Sequence, residues 1–272
     1  MVAGLPAEEA IHVHSVPDFA MVKSLHGHKA GVSQVAFDPS SRYIASASED
    51  RSIRIWDVLA THDDKPIRTL NGHASPVFCV NWSPRGNMVA SGGLDESVRI
   101  WNVHAEECLR VLPAHSDPVS SVTFTGDGAV LVTSSWDGYI RVWDTATGQC
   151  LKTLMEEDST PISNICFSPN EAFLFTSALD STIRIWNHQS GKTLKTYAGH
   201  LNRKYCIPVV LDLEKKLVIT GSEDHDIVLW DIQTREVVAR LKGHSDAVIA
   251  LDSHPKLPLL ASGALDKVRS KS

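Results

Sequence analysis

The sequence predicts an all-β fold built from a repeated unit of 42 to 45 residues. A tryptophan recurs five times at the end of a short β-like segment, an aspartate lies six residues before each tryptophan, and a serine or threonine lies four residues before each aspartate. Self-similarity at a nearly fixed period indicates a repeat architecture. The recurring tryptophans are Trp56, Trp101, Trp143, Trp186 and Trp230.

A histidine opens most of the repeats and usually follows a glycine. The repeat near residue 157 lacks it, because an acidic run at residues 156–158 stands in its place. At the C-terminal end, Asp266 continues the aspartate series, but no tryptophan follows it. The histidines of this series are His28, His73, His115, His200 and His244.

Each repeat contains four short segments with the character of β-strands. After His73 the chain reads VFCVNW, a turn at residues 83–86, MVASGG, a second turn at residues 94–96, and SVRIWNV. Alternating β-branched residues between turns that contain Pro, Gly or Asp predict strands joined by hairpins. A fourth segment follows the tryptophan, as in ECLRVL and QCLKTL. The unit is therefore predicted to be a four-stranded antiparallel sheet.

Four strands per unit with Gly-His and Trp-Asp signatures resemble the WD-repeat β-propeller. The resemblance covers about residues 18–266 and includes six recognisable repeats, whose inner strands begin near residues 32, 77, 119, 162, 205 and 247. It implies a propeller over residues 18–272 with an incomplete last repeat, after a flexible tail at residues 1–17. Residues 18–25 are similar to the outer strand of a blade, and in a six-bladed ring they would complete the last blade.

The repeated polar residues are predicted to be structural. In the WD-repeat family the histidine, hydroxyl, aspartate and tryptophan are joined by hydrogen bonds, and His28, Ser46, Asp50 and Trp56 match one such set. The alternative for the same residue types is a Ser/His/Asp catalytic site. Repetition in successive units argues against it, because an enzyme needs one such site. No catalytic residue is therefore predicted.

The composition argues against several classes of function. Lys and Arg number 26 against 32 Asp and Glu, and no basic stripe offsets the net charge of -6, which disfavours nucleic-acid binding. No apolar run is long enough to span a membrane, and no secretory signal pattern is visible at the N-terminus. Five cysteines without CxxC spacing predict reduced thiols inside a cell. His12, His14 and His26 share one flexible segment, so no metal or cofactor is expected.

A closer resemblance concerns a particular class of WD-repeat proteins. The segments LDESVRIW, LPAHSDPVSSV, WDTATGQCLKTL, KYCI and GSEDHDIVLW are similar to the WD-repeat subunit of COMPASS/MLL-type histone methyltransferase complexes. That family has seven blades, and the match here starts at its second repeat. We therefore expect either a relative that has lost one blade or an incomplete version of a seven-bladed protein. The damaged last strand favours the second alternative.

The resemblance implies a site for an arginine-containing peptide at the mouth of the propeller channel. In that family two phenylalanines enclose the arginine side chain in a cation–π arrangement. One phenylalanine matches Phe78, whereas the other falls on Pro208, which has no π face. Filling of the channel is the alternative role for Phe78 and Tyr205. The implied site residues are Ser33, Glu49, Phe78, Ser120, Trp136, Ser163, Tyr205 and Cys206.

The resemblance also implies a docking face for a partner subunit on the opposite side. Its positions keep the chemical character of the family, although several residues are substituted. Simple packing of the apolar members within the sheets is the alternative. The implied residues are Asn170, Phe173, Ile185, Leu211, Leu213 and Gln233.

Three functions are consistent with these patterns. The resemblance favours a non-catalytic nuclear scaffold of a histone lysine methyltransferase complex, with protein partners and no direct contact to nucleic acid or membrane. A generic WD-repeat adaptor of another assembly, such as a ubiquitin ligase substrate receptor, is the second. A propeller enzyme is the third, but Glu49 alone does not provide a mechanism.

Overall fold

The computed structural model describes residues 2–3, 10–16, 18–60, 64–155, 158–212, 216–254, 257, 259–266 and 269–271. Within these ranges all helix-or-strand secondary structure is β-strand, with no helix, and the strands form seven antiparallel sheets. The predicted all-β fold is confirmed. The chain divides into two compact units, residues 1–153 and residues 154–272.

The described part of the first unit contains four sheets, and in each sheet every strand pairs with the next one along the chain. The first sheet has three strands and the other three have four. The strands are β1 (Val2–Ala3), β2 (Ala10–His14), β3 (Met21–His26); β4 (Val32–Phe37), β5 (Tyr43–Ser48), β6 (Ser52–Asp57), β7 (Arg68–Asn71); β8 (Val77–Trp82), β9 (Met88–Gly93), β10 (Val98–Asn102), β11 (Glu107–Leu112); β12 (Val119–Phe124), β13 (Val130–Ser135), β14 (Ile140–Asp144) and β15 (Cys150–Leu154).

The described part of the second unit contains three sheets with the same consecutive order, two of four strands and a last one of three. The strands are β16 (Ile162–Phe167), β17 (Phe173–Ala178), β18 (Thr182–Asn187), β19 (Lys192–Ala198); β20 (Val209–Asp212), β21 (Leu217–Gly221), β22 (Ile227–Asp231), β23 (Val237–Leu241); β24 (Val248–Ser253), β25 (Leu260–Ala264) and β26 (Arg269–Lys271).

Hydrophobic clusters lie between consecutive sheets within each unit. Ile53 and Leu70 of one sheet pack with Val80 and Trp101 of the next. The second strand of each four-stranded sheet is buried almost throughout, since it is covered on both faces. The sequence of a strand covered on both faces is a run of apolar and small residues, without alternation between apolar and polar residues. Stability is therefore shared between neighbouring repeats, as in other repeat proteins.

A buried chain of hydrogen bonds joins the repeated polar residues. Trp56 Nε1 donates to Ser46 Oγ at 2.8 Å, while His28 contacts Ser46 through Nε2 at 2.6 Å and Asp50 through Nδ1 at 2.8 Å. A neutral imidazole protonated on Nδ1 satisfies all of these contacts at once. The same set forms at His73, Ser91, Asp95 and Trp101, at His115, Thr133, Asp137 and Trp143, and, without a tryptophan, at His244, Ser262 and Asp266.

These contacts keep the aspartates ionised. Burial alone would raise the pKa of Asp137, but the hydrogen bond from His115 and two backbone N–H groups outweigh burial and lower the pKa to about 2. The pKa of Asp95 is also held below its usual range, because the hydrogen bond from His73 outweighs the effect of burial. In the repeat that lacks a histidine, Trp186 Nε1 still donates to Thr176 Oγ1 at 3.0 Å.

Part of the segment expected to be a flexible tail is a strand. Residues 10–14 form β2, which pairs with β3 in the register His12 to Ser24. Ile11 and Val13 are buried against Val32 and Trp56 of the following sheet, and this burial holds the segment in place. Residues 1, 4–9 and 17 lie outside the described residues.

The two ends of the chain also pair differently from the expectation. β3, which covers most of residues 18–25, pairs with β2 and belongs to a sheet of its own, so it does not complete the last sheet. The last repeat, which the sequence predicted to be incomplete, still forms a third strand, β26. Strand pairing uses backbone N–H and C=O groups, so it does not require the missing tryptophan.

Long cations on the outer strands reach the turns of the next sheet. Lys23 Nζ donates to the carbonyls of Asp57 and Ala60 at 3.2 and 2.7 Å, and Arg68 Nη1 donates to the carbonyl of His104 at 2.9 Å. Within the second unit, Lys195 Nζ donates to the carbonyl of Ile232 at 2.8 Å. These side chains recur with the period of the repeat and tie adjacent sheets together.

Removal of one hydroxyl from a buried set should destabilise the protein. In Ser91→Ala the indole N–H of Trp101 and the imidazole of His73 lose their shared partner, and each orphaned buried group costs about 1–3 kcal/mol. Urea unfolding should show a free energy of unfolding lower by about 2–6 kcal/mol, the sum for the two groups, with an unchanged dependence on urea concentration. Ser75→Ala is the control, and equal losses in the two variants would contradict the assigned role.

Candidate functional site

One bulge recurs in the first strand of five sheets. The register of the first and second strands shifts by one residue there, so a single residue is left unpaired. A β-bulge re-aims a side chain and is common beside functional sites. The unpaired residues are Ser33, Phe78, Ser120, Ser163 and Ile249.

Four of these five residues were predicted from sequence as site residues. Ile249 was not predicted. It lies 86 residues after Ser163, which is the length of two repeats, and so continues the same series. The bulge places them at equivalent points of their sheets. The signal that could have found Ile249 is its position directly after the first buried strand residue, Val248.

A backbone hydrogen bond brings a turn residue beside each bulge. The N–H group of Glu49 donates to the carbonyl of Gly31, and that of Trp136 donates to the carbonyl of Pro118, at 2.9 and 3.1 Å. In both cases the accepting carbonyl lies two residues before the bulge. Glu49 and Trp136 are therefore equivalent turn positions, and both belong to the predicted site.

In the first unit the predicted aromatic residues meet. The rings of Phe78 and Trp136 lie 6.1 Å apart between centroids, with an angle of 30° between their planes. The indole N–H of Trp136 is buried and has no hydrogen-bond partner among the described residues. Glu49 is exposed and Ser33 is half-buried, whereas Ser120 is 8% exposed and its Oγ lies 3.0 Å from Ser134 Oγ.

In the second unit, Ser163 is occupied by structural contacts. It is 1% exposed, its hydroxyl donates to the carbonyl of Ser177 at 3.0 Å, and it accepts a hydrogen bond from Asn202 Nδ2 at 3.2 Å. Asn202 itself is fully buried, and its Nδ2 also donates to Ser177 Oγ. Ser163 therefore positions the neighbouring loop through Asn202.

The inner strand expected to begin near residue 205 begins at Val209, so Tyr205 and Cys206 lie in an irregular segment, residues 201–208. Pro208 occupies the repeat position at which Gln34 pairs with Ala47. Proline has no N–H group to donate to the ladder. The residues before Val209 therefore lie outside the sheet, and the bulge seen in the other sheets does not form here.

A carboxylate holds the irregular segment. Glu223 Oε1 accepts the backbone N–H groups of Arg203, Lys204 and Tyr205 at 2.8, 2.6 and 3.1 Å. Lys204 Nζ lies 4.9 Å from the centre of the Tyr205 ring, and Cys206 is exposed. The side chain of Glu223 thus holds the start of the irregular segment by accepting three backbone N–H groups.

The buried hydrogen-bonded set is broken in this repeat. Thr220 Oγ1 donates to the carbonyl of Pro208 at 2.8 Å, and Trp230 Nε1 donates to the carbonyl of Ala198 at 3.0 Å. Both nitrogens of His200 are buried without a hydrogen-bond partner among the described residues. The prediction that His200 belongs to such a set is wrong, since the displaced segment has taken the hydroxyl that the set requires.

Other contacts compensate for this loss. His200 packs edge-on against the Trp230 ring, with 5.5 Å between the centroids. Asp224 pairs with Arg240 Nη1 at 3.3 Å, and Arg240 lies opposite Val228, which stands where earlier repeats carry an arginine. Burial is the largest influence on His200 and lowers its pKa to about 4, against a smaller opposing effect of nearby carboxylates.

The predicted partner face is divided between core and surface. Ile185 is 5% exposed and packs in a cluster to whose edge Phe173 and Leu211 contribute. Asn170 is exposed, and its Oδ1 accepts hydrogen bonds within its own turn. Gln233 is exposed in the turn that follows β22. Leu213 lies outside the described residues.

Among the described residues no three His, Cys, Asp or Glu side chains are grouped to hold a metal ion. The same part of the chain contains no helix that could cross a membrane.

Comparison with known proteins finds one match that spans nearly the whole chain. Residues 1–270 match the family described as the WDR5 beta-propeller domain. Similarity to individual proteins is confined to shorter stretches. A WD repeat domain-containing protein 83 homolog of Dictyostelium discoideum is 36% identical over 59 residues, 22% of this chain and 18% of that protein.

Two further relatives have names that differ from the first and from each other. Polycomb protein EED of Chaetomium thermophilum is 37% identical over 60 residues, 22% of this chain and 11% of that protein. Protein Mut11 of Chlamydomonas reinhardtii is 38% identical over 99 residues, 24% of this chain and 27% of that protein. The matched segments span under a third of each of these relatives, so the shared feature is the repeat.

Loss of the carboxylate that holds residues 201–208 should loosen that segment. In Glu223→Ala three backbone N–H groups lose their acceptor, and we expect faster hydrogen exchange at residues 203–205 and a loss of about 1–3 kcal/mol in stability. Glu49→Ala, at the equivalent turn position, is the matched control. Equal exchange in the two variants would refute the role assigned to Glu223.

His200 should make the protein sensitive to acid. Its pKa is lowered to about 4 in the folded chain, whereas the unfolded chain binds the proton near 6.5. Stability is therefore complete above about pH 6.5 and is lost as the pH falls towards 4, by about 2 kcal/mol between about pH 7 and pH 5. Urea unfolding of His200→Gln should lack this part of the pH dependence. His104→Gln, at an exposed histidine, is the control. If His200→Gln keeps the same pH dependence of stability as this control, His200 is not the source of the acid sensitivity.

Proposed function

Because the chain belongs to the WDR5 beta-propeller domain family, we propose that it is a non-catalytic scaffold of a nuclear histone lysine methyltransferase complex. One face binds an arginine-containing peptide, and the opposite face docks a partner subunit. The match over residues 1–270 supports a WD-repeat protein that works through protein partners. The short similarity to the protein named Polycomb protein EED supports an assignment to chromatin.

The aromatic pair of the first unit carries the peptide proposal. Phe78 leaves the strand ladder at a bulge, and Trp136 stands beside it on a turn, with 6.1 Å between the ring centres. Two π faces at one point favour a guanidinium group, which stacks on aromatic rings and remains charged at all physiological pH values.

Trp136 takes the part that the family assigns to a second phenylalanine. That position is Pro208 in this chain, and the residue both lacks a π face and displaces its own strand. Glu49, an exposed carboxylate at an equivalent turn position, adds negative charge that favours a cationic peptide. The overall charge of -6 has the same sign.

For the partner subunit, the exposed polar residues Asn170 and Gln233 are the proposed contacts, with Phe173 and Leu211 as the apolar rim. Ile185 supports this rim from within the core. Leu213 remains part of the proposal by resemblance. An adaptor of another assembly, such as a ubiquitin ligase substrate receptor, is the alternative, because a stretch of similar length is shared with a protein named Coatomer subunit beta'-1 of Arabidopsis thaliana.

Peptide binding should depend on the aromatic pair and on the arginine. Titration calorimetry with an arginine-containing histone-tail peptide should show binding that Phe78→Ala and Trp136→Ala each weaken about 2- to 30-fold, the range of a cation–π contact. Replacing the arginine of the peptide with alanine should abolish the difference between the variants and the original chain.

Phe37→Ala is the matched control, because Phe37 is also a partly exposed phenylalanine on an inner strand of the first unit. Equal affinity of Phe78→Ala and the original chain would refute the arginine site. If the peptide binds equally well with and without its arginine, and binds all variants, the result would favour the adaptor function.

A further inference from the structure

The β2–β3 hairpin presents histidines on one face. Ile11, Val13 and Leu25 are buried on the other face, so the alternation of the strands directs His12 and His26 away from the core. The segment that was expected to be flexible is thus a sheet of defined register. Its histidines are held by the packing of their neighbours.

Two imidazoles converge on one hydroxyl group. His12 lies opposite Ser24 and His26 lies opposite Ala10, which makes His12 and His26 diagonal neighbours on the same face. Ser24 Oγ is 3.1 Å from His12 Nδ1 and 2.9 Å from His26 Nε2. A hydroxyl group has one proton, so it donates to one imidazole and accepts from the other. Both ring nitrogens therefore point towards one place.

We propose that His12 and His26 form a binding site for a first-row divalent cation that prefers imidazole nitrogen, such as Ni²⁺ or Cu²⁺. Metal–nitrogen bonds to imidazole are about 2.0–2.1 Å long, so the two rings close on the ion and replace their contacts with the Ser24 hydroxyl. His26 is exposed, which gives the ion access and lets its ring turn. Water completes the coordination.

The donor set selects among cations. Two imidazole ligands disfavour Mg²⁺ and Ca²⁺, which take oxygen ligands. Residues 10–26 contain no cysteine, so the site lacks the thiolates that favour Cu(I). His14 is on the same face, and its Nδ1 lies 3.2 Å from the carbonyl of Phe19, so the site is assigned to the other two histidines.

The bound ion would join β2 to β3. An unfolded chain does not hold the two imidazoles together, so an ion that binds the hairpin stabilises it by mass action. The site would therefore secure β2, whose attachment otherwise rests on strand pairing and the burial of Ile11 and Val13.

Titration calorimetry of the full chain with Ni²⁺ alone tests the proposal, since Ni²⁺ suits imidazole better than thiolate. We expect one site whose affinity falls at least about tenfold in His12→Gln and in His26→Gln, with His104→Gln as the control for an exposed histidine elsewhere. Ser24→Ala should retain binding, because the hydroxyl is not a required ligand. Hydrogen exchange of residues 10–14 should slow on addition of Ni²⁺ to the original chain, but not to His26→Gln.

Unchanged Ni²⁺ affinity in both hairpin variants would overturn the proposal. An equal loss in His104→Gln would also overturn it, because binding would then be spread over surface histidines. If His12→Gln destabilises the β2–β3 hairpin itself, the Ni²⁺ affinity of His26→Gln is the deciding measurement, because that variant replaces an exposed side chain.

Discussion

The buried hydrogen-bond chain from tryptophan to hydroxyl, histidine and aspartate is the constraint on which the other features depend. It joins the third strand to the second and both to the loop before the first, as between Trp56, Ser46 and His28. Each group is shielded from water, so each needs its partner. The turn N–H donates to the carbonyl two residues before the bulge, also in the repeat that lacks the histidine, and the bulge residue lies at the same place in successive sheets.

One repeat shows what happens when this constraint is lost. Pro208 cannot pair, and the segment before it leaves the sheet and takes the hydroxyl of Thr220. His200 is then buried without a hydrogen-bond partner, while Glu223 and Arg240 provide other anchors. The change in this segment is thus distributed over three side chains, because buried polar groups cannot be left unpaired without a cost in free energy.

The proposed recognition positions coincide with interruptions of the strand ladder. Phe78 occupies a bulge, Trp136 a turn, and Tyr205 a segment that has left its sheet. At such points the backbone directs a side chain out of the regular alternation while the flanking strands keep it rigid. The repeat therefore supplies the same frame many times, and differences in the residue at the bulge give each repeat its own surface chemistry.

The all-β class, the repeat period and the polar sets could be predicted from the chain alone, because they rest on local alternation and on residue types that recur at constant spacing. Phe78 and Trp136 were implied by the family resemblance, but their stacking could not be predicted, because it joins a strand of one sheet to a turn of the next. The pairing of residues 10–14, the displacement caused by Pro208 and the convergence of His12 and His26 on Ser24 likewise depend on contacts between distant segments. A spacing rule describes neighbours along the chain, whereas these features depend on which strand lies beside which.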